Sequence, residues 1–190
     1  MEQVSFLDDN QRTEISKRDE VNKRKKEVKF VAIDVETTGL SPVYNELIEI
    51  SAIKYEGAKK IDTFSTLVKP KKEVSNIITN LTGITNAMLE NAPQIEEVMP
   101  KLVEFIGNHI IVAHNANFDY SFLQNNSNKS FSKNKVIDTV ALSRKMLPNL
   151  PNHKLNTVAR CIGIQEDGFH RAEFDCECCA KIYIKYLENM

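Results

Sequence analysis

The most constraining stretch of this sequence is Lys29 to Glu36, KFVAIDVE, an apolar run without helical spacing that ends in two carboxylates two residues apart. Such a run reads as a strand buried on both faces. The two-residue period of a strand puts Asp34 and Glu36 on one face. Side by side at the edge of a core, two carboxylates repel, and one is driven to take up a proton unless a cation neutralises them. Hard divalent ions with oxygen ligands, Mg²⁺ or Mn²⁺ above all, are the usual remedy. The bland alternative is a strand that emerges into solvent with two ordinary surface acids, and on this stretch alone it is the better reading.

Around this strand the pattern predicts an α/β domain. Glu46 to Tyr55 and Lys59 to Val68 read as strands joined through Glu56-Gly57-Ala58, a hairpin signal that makes an opening antiparallel meander. Pro93 fits the first turn of a helix whose apolar face is Ile95, Val98, Leu102, Phe105 and Ile106, with Pro100 predicting a kink and Gly107 a stop. Ile110 to Ala113 and Val136 to Asp138 read as short strands, with a short helix around Asp119 to Leu123 between them. The last third reads as helices over Thr139 to Met146, His153 to Ile162 capped by Asn152, and Ala172 to Glu188. Strands alternating with helices after a meander imply a mixed central sheet flanked by helices.

Residues 1–28 differ: within them the stretch QRTEISKRDEVNKRKKEV is almost entirely charged or polar, and they are expected to form a charged extension, flexible or a frayed solvated helix, leaving 29–190 as one domain. The 25 Lys and Arg nearly cancel 26 Asp and Glu, for a net charge of -1, so no global field holds a polyanion and any nucleic-acid role must be local. No uninterrupted apolar run approaches the ~18 residues of a membrane helix, and the expected location is the cytoplasm. Cys161, Cys176, Cys178 and Cys179 match neither a zinc site nor a disulfide framework and read as reduced, partly core-packed thiols.

Two further segments change the weight of the paired acids: HNANFD at 114–119, after a buried strand, and HRAEFD at 170–175, opening the last helix. In order and spacing, DVETTG at 34–39, HNANFD and HRAEFD resemble the three sequence blocks of the DnaQ-like DEDDh 3′→5′ exonucleases. The stretches LSPVYNELIEISAIK, LTGIT and NHKLNTVA are similar to the proofreading exonuclease domain of PolC-type DNA polymerase III. The resemblance implies an RNase H-like fold, with Asp34, Glu36, Asp119 and Asp175 as ligands of two divalent ions, Mg²⁺ or Mn²⁺, and His170 as general base. Two departures, Phe174 and Cys176 where the family often has a second acid and an alanine, remove no ligand.

Hydrolysis of a phosphodiester needs an activated water and a stabilised leaving alkoxide, which two metal ions serve together. Neutral His170, with an unperturbed pKa near 6.5, accepts a proton at physiological pH. Thr37, Thr38, Gly39 and Leu40 stand where hydroxyls, backbone amides and an apolar side chain meet a terminal nucleotide, and Thr82 and Asn115 are similar in position to substrate contacts of the family. The competing reading of these residues is turn formation and local capping. The expected partner is a single-stranded or frayed 3′ end of DNA, in proofreading or repair, with a replicative polymerase supplied separately. RNA 3′-end trimming uses the same residues, and a non-catalytic nucleic-acid-binding module of the same fold is the third reading. Gln3, Phe6 and Leu7 resemble the short peptide by which bacterial replication proteins dock on a sliding clamp, set against an unbound tail.

Overall fold

The computed structural model describes residues 28–128, 130–164 and 171–189. His170, the clamp-like Gln3, Phe6 and Leu7, and the N-terminal extension up to residue 27 lie outside the described residues.

The opening strand β1 (Lys29–Thr37) is followed by β2 (Leu47–Glu56) and β3 (Lys59–Leu67), an antiparallel meander as expected. The β2–β3 connection is only Gly57-Ala58, and Gly57 takes a positive φ of 59°, the left-handed conformation that a tight hairpin needs. Three helices come next: α1 (Asn76–Thr82), α2 (Asn86–Leu89) and α3 (Ile95–Ile106). They lead to β4 (Ile110–Ala113), α4 (Asn117–Asn126), β5 (Val136–Asp138), α5 (Thr139–Met146), α6 (Leu155–Cys161) and α7 (Ala172–Glu188). The five strands form one sheet in the order β3-β2-β1-β4-β5, with β4 and β5 parallel to β1.

Alternation along β1 divides the core. Val31, Ile33 and Val35 pack with Val98, Leu102, Ile106, Phe122 and Leu123 of α3 and α4, whereas Phe30 and Ala32 pack with Cys176, Cys179, Ala180 and Tyr183 of α7. The sheet is therefore sandwiched between two helical layers, and Asp34 and Glu36 continue the row that faces α7. Cys176, Cys178 and Cys179 are buried and Cys161 is exposed, and none of them is in a disulfide.

Four local expectations shift. Pro93 stands just before α3, whose N-cap is Gln94, and Gln94 and Glu97 form a reciprocal capping box. Pro100, where the kink is expected, lies inside this helix. Asn152 does not cap a helix at His153: its side chain accepts the Lys154 amide in a local turn, and α6 starts at Leu155. The helix after HNA is longer than expected and begins at Asn117, while α1 and α2, capped by Ser75 and Thr85, have no counterpart in the pattern-based reading.

Candidate active site

Three carboxylates converge on the α7 face of β1. One oxygen each from Asp34, Glu36 and Asp175 lies within 4.8 Å of the others. Asp34 and Glu36 reach this point because they alternate with Val35, whose side chain enters the opposite core. Asp175 reaches it from the first turn of α7, where the helix dipole favours negative charge. Asp34 and Glu36 are half-buried and Asp175 is buried.

Asp119 approaches from the other edge of β1. β4 pairs with β1 only over Phe30 to Ala32, so the β1 backbone beyond that point has no strand beside it on this edge. There the buried Asp119 carboxylate accepts the Val35 amide at 3.1 Å. That bond ties the start of α4 to the strand between the two paired acids. Asp119 is thus close to Asp34 without being part of the triad.

The electrostatics are those of crowded, poorly hydrated acids. Burial first, and then the charges of Asp119, Asp175, Glu36 and Glu49, push the Asp34 carboxyl well above the usual carboxylate range. Glu36 is pushed up to about 7 by burial and by Asp175 and Glu49, with Arg171 opposing. Asp119 rises to about 8, again chiefly through burial, although the Val35 amide holds it down in part. Divalent cations relieve this stress, and the oxygen-only donor set suits hard ions. The residues present therefore fit a divalent metal centre.

One residue of this site escaped the sequence reading. Glu49 sits opposite Glu36 on β2, is 4% exposed, and accepts both Nη2 and Nε of Arg171 at 2.9 and 3.3 Å. It also accepts the Ala172 amide at 3.1 Å, so one carboxylate clamps the start of α7 to the sheet. Behind it, the Cys176 thiol donates to the Ser51 carbonyl at 3.1 Å. The only sequence signal for Glu49 was a lone acid inside an apolar strand, in a register facing Glu36.

The loop after β1 is tightly folded. The Thr37 hydroxyl donates to the Gly39 carbonyl, and the Thr38 hydroxyl accepts the Glu46 amide at 2.9 Å. A Cβ on Gly39 would fall 2.7 Å from the Asn45 side chain, so a larger residue would have to displace that side chain, whose Oδ1 accepts the Ser41 amide. Leu40 is left 85% exposed. Asn115 is exposed beside the site with a positive φ of 60°, its amide donating to Asp138. Thr82 differs: it is 3% exposed, and its hydroxyl is engaged by the Ile78 carbonyl and the Ile84 amide. Both bonds are those of a local cap at the end of α1.

The chain is 45% identical over 166 residues to the PolC-type DNA polymerase III of Caldanaerobacter subterraneus subsp. tengcongensis, covering 86% of this chain and 12% of that protein. It is 42% identical over 164 residues to the PolC-type DNA polymerase III of Bacillus subtilis, covering 84% of this chain and 11% of that one. The chain thus spans only about an eighth of the length of the curated relatives it matches. Among solved structures, Exonuclease X in complex with 5′ overhanging duplex DNA superposes with a TM-score of 0.68 at 27% identity, covering 84% of this chain and 92% of that one. E. coli Exonuclease I with a dT13 oligonucleotide shares the fold at a TM-score of 0.73 and 17% identity, over 84% of this chain and 41% of that one. The family model RNase_T, described as Exonuclease, matches residues 31–183, from β1 into α7 and so across every acid of the site. On that match this chain belongs to the RNase_T exonuclease family.

Proposed function

We propose that residues 29–190 form a metal-dependent 3′→5′ exonuclease domain that removes nucleotides from DNA 3′ ends, in proofreading or repair. The observation that carries this reading is the convergence of Asp34, Glu36 and Asp175 within 4.8 Å on one face of the sheet. Those three residues would hold the metal, with Asp119 supporting a second ion from the α4 side. When bound, Mg²⁺ or Mn²⁺ supplies positive charge to the phosphodiester and lowers the pKa of a water.

The remaining work falls to the chain itself. The Glu49 clamp holds Arg171 and the first turn of α7, and so keeps Asp175 against the sheet. His170, the residue before Arg171, takes the proton of the attacking water in this reading. Leu40, exposed beside the acids, offers an apolar surface to the terminal base, and the Thr37–Thr38–Gly39 turn brings backbone close to the terminal nucleotide. The similarity to PolC-type polymerases supports DNA as substrate and a replicative polymerase as partner. A sliding clamp held by Gln3, Phe6 and Leu7 is a further proposed partner.

The test is digestion of matched 3′-labelled and 5′-labelled DNA and RNA strands with Mg²⁺ or Mn²⁺ and with EDTA. Metal-dependent release of mononucleotides from DNA 3′ ends is expected. Digestion that survives excess chelator, or that proceeds only from 5′ ends, refutes the reading, and a preference for RNA moves the substrate class.

A further inference from the structure

A cavity of about 530 Å³ opens beside the acidic triad and shares Asp175 with it; its wall includes Asn115, Arg144, His153, Lys154 and Asn156. Its size is that of a nucleotide-scale site. The frame is rigid. His114 bridges the Thr139 hydroxyl and the His153 carbonyl, both at 2.8 Å, and the His153 ring meets the Ser143 hydroxyl at 3.0 Å. These bonds tie α5 and the segment before α6 to the end of β4. Arg144 and Lys154 are exposed on this frame, and neither forms an ion pair among the described residues. The nearby Arg171 is already engaged by Glu49. On a chain of net charge -1, two uncompensated cations and two amides next to a carboxylate cluster form a local seat for an anion.

We propose that this cavity is a phosphate subsite that binds the phosphodiester immediately 5′ of the scissile one, on a single strand whose 3′ end lies at the acidic triad. The inference rests on the 3′-exonuclease reading for the polarity of the strand. Arg144 and Lys154 supply the charge, Asn115 and Asn156 supply amide donors, and the shared wall at Asp175 sets the subsite one linkage away from the reaction. The same chemistry would serve the phosphate of a released mononucleotide, and the experiment separates the two sources.

Binding of a 5′-fluorescein-labelled dT10 is followed by anisotropy in Ca²⁺, for the wild type and for Arg144→Gln plus Lys154→Gln, on an all-phosphate strand and on strands with one neutral methylphosphonate. The double variant is expected to bind about tenfold more weakly, with the slope of log Kd against log salt reduced by about 0.7, the value for one phosphate contact on a single strand. A methylphosphonate at the second linkage from the 3′ end should cost the wild type the same factor and the variant nothing more. Equal affinity of the two proteins, or a methylphosphonate effect that is the same at every position, overturns the subsite. If thymidine 5′-monophosphate loses affinity by the same factor in the variant, the cavity is a product site and the proposal fails. Because binding is read without turnover, a chain that fails to digest DNA yet keeps the position-specific effect loses the exonuclease reading and keeps the subsite. An active enzyme without that effect loses the subsite alone.

Discussion

Glu36→Gln should make the metal-free protein more stable at pH 8 and leave it unchanged at pH 4.5. The Glu36 carboxyl goes from an ordinary value of 4.5 to about 7 on folding, because burial and the neighbouring Asp175 and Glu49 disfavour its charge. A raised carboxyl pKa means that the folded state holds the proton longer than the unfolded chain, so stability is lost as pH rises from about 4.5 through about 7. At roughly 1.4 kcal/mol per pKa unit, the ionised side chain costs the folded state about 3 kcal/mol above that window. For a domain of this length such a term corresponds to about 6–12 °C in Tm. Scanning calorimetry in EDTA across pH 4.5 to 8 is the assay, with the Glu36→Gln advantage opening as pH rises. Added Mg²⁺ should then raise the wild-type Tm and the variant's much less, since only the wild type keeps the full triad. The reasoning is refuted if the two proteins differ equally at pH 4.5 and pH 8 in EDTA, or if the wild type is the more stable at pH 8.

Asp34→Ala should abolish turnover by removing one of the acids that would hold the metal, whereas His170→Ala should retain DNA affinity and lose about 10² to 10⁴ in kcat, as single-turnover kinetics will read. Glu49→Ala leaves the Arg171 guanidinium and the Ala172 amide without their acceptor. It should cost about 1–3 kcal/mol in urea titration and lower kcat, while a mere surface role would leave both unchanged. Phe6→Ala plus Leu7→Ala should abolish binding to a bacterial sliding clamp in calorimetry with the digestion rate intact; equal affinity for both proteins refutes clamp docking.

The parts of this molecule that were legible in its sequence are those with short-range signals. The run KFVAIDVE announced both the central strand and the shared face of Asp34 and Glu36, because strand periodicity is local. The last helix, Ala172 to Glu188, was equally plain. Glu49 was not, since its meaning lies in a guanidinium 122 residues away. Asn152 misled because an Asx turn and a helix cap have the same sequence signature. The two-sided engagement of the Thr82 hydroxyl depends on how α1 ends at Gly83, which has a φ of 74°, and that turn was missed together with the helix. The separation of Asp119 from the other three acids follows from β4 ending early, a tertiary fact without a motif.

The distribution of sulfur gives this protein a built-in clock. Cys161 is exposed, whereas Cys176, Cys178 and Cys179 lie in the packed side of α7, where burial also raises the Cys176 and Cys179 thiols and keeps thiolate scarce. An alkylating reagent therefore meets one ready sulfur on the folded chain and three that respond only when the helix bearing Asp175 parts from its neighbours, the sheet for Cys176 and Cys179 and α6 for Cys178. Adducts counted by mass over time measure how often the centre comes apart, with no nucleic acid and no metal in the tube.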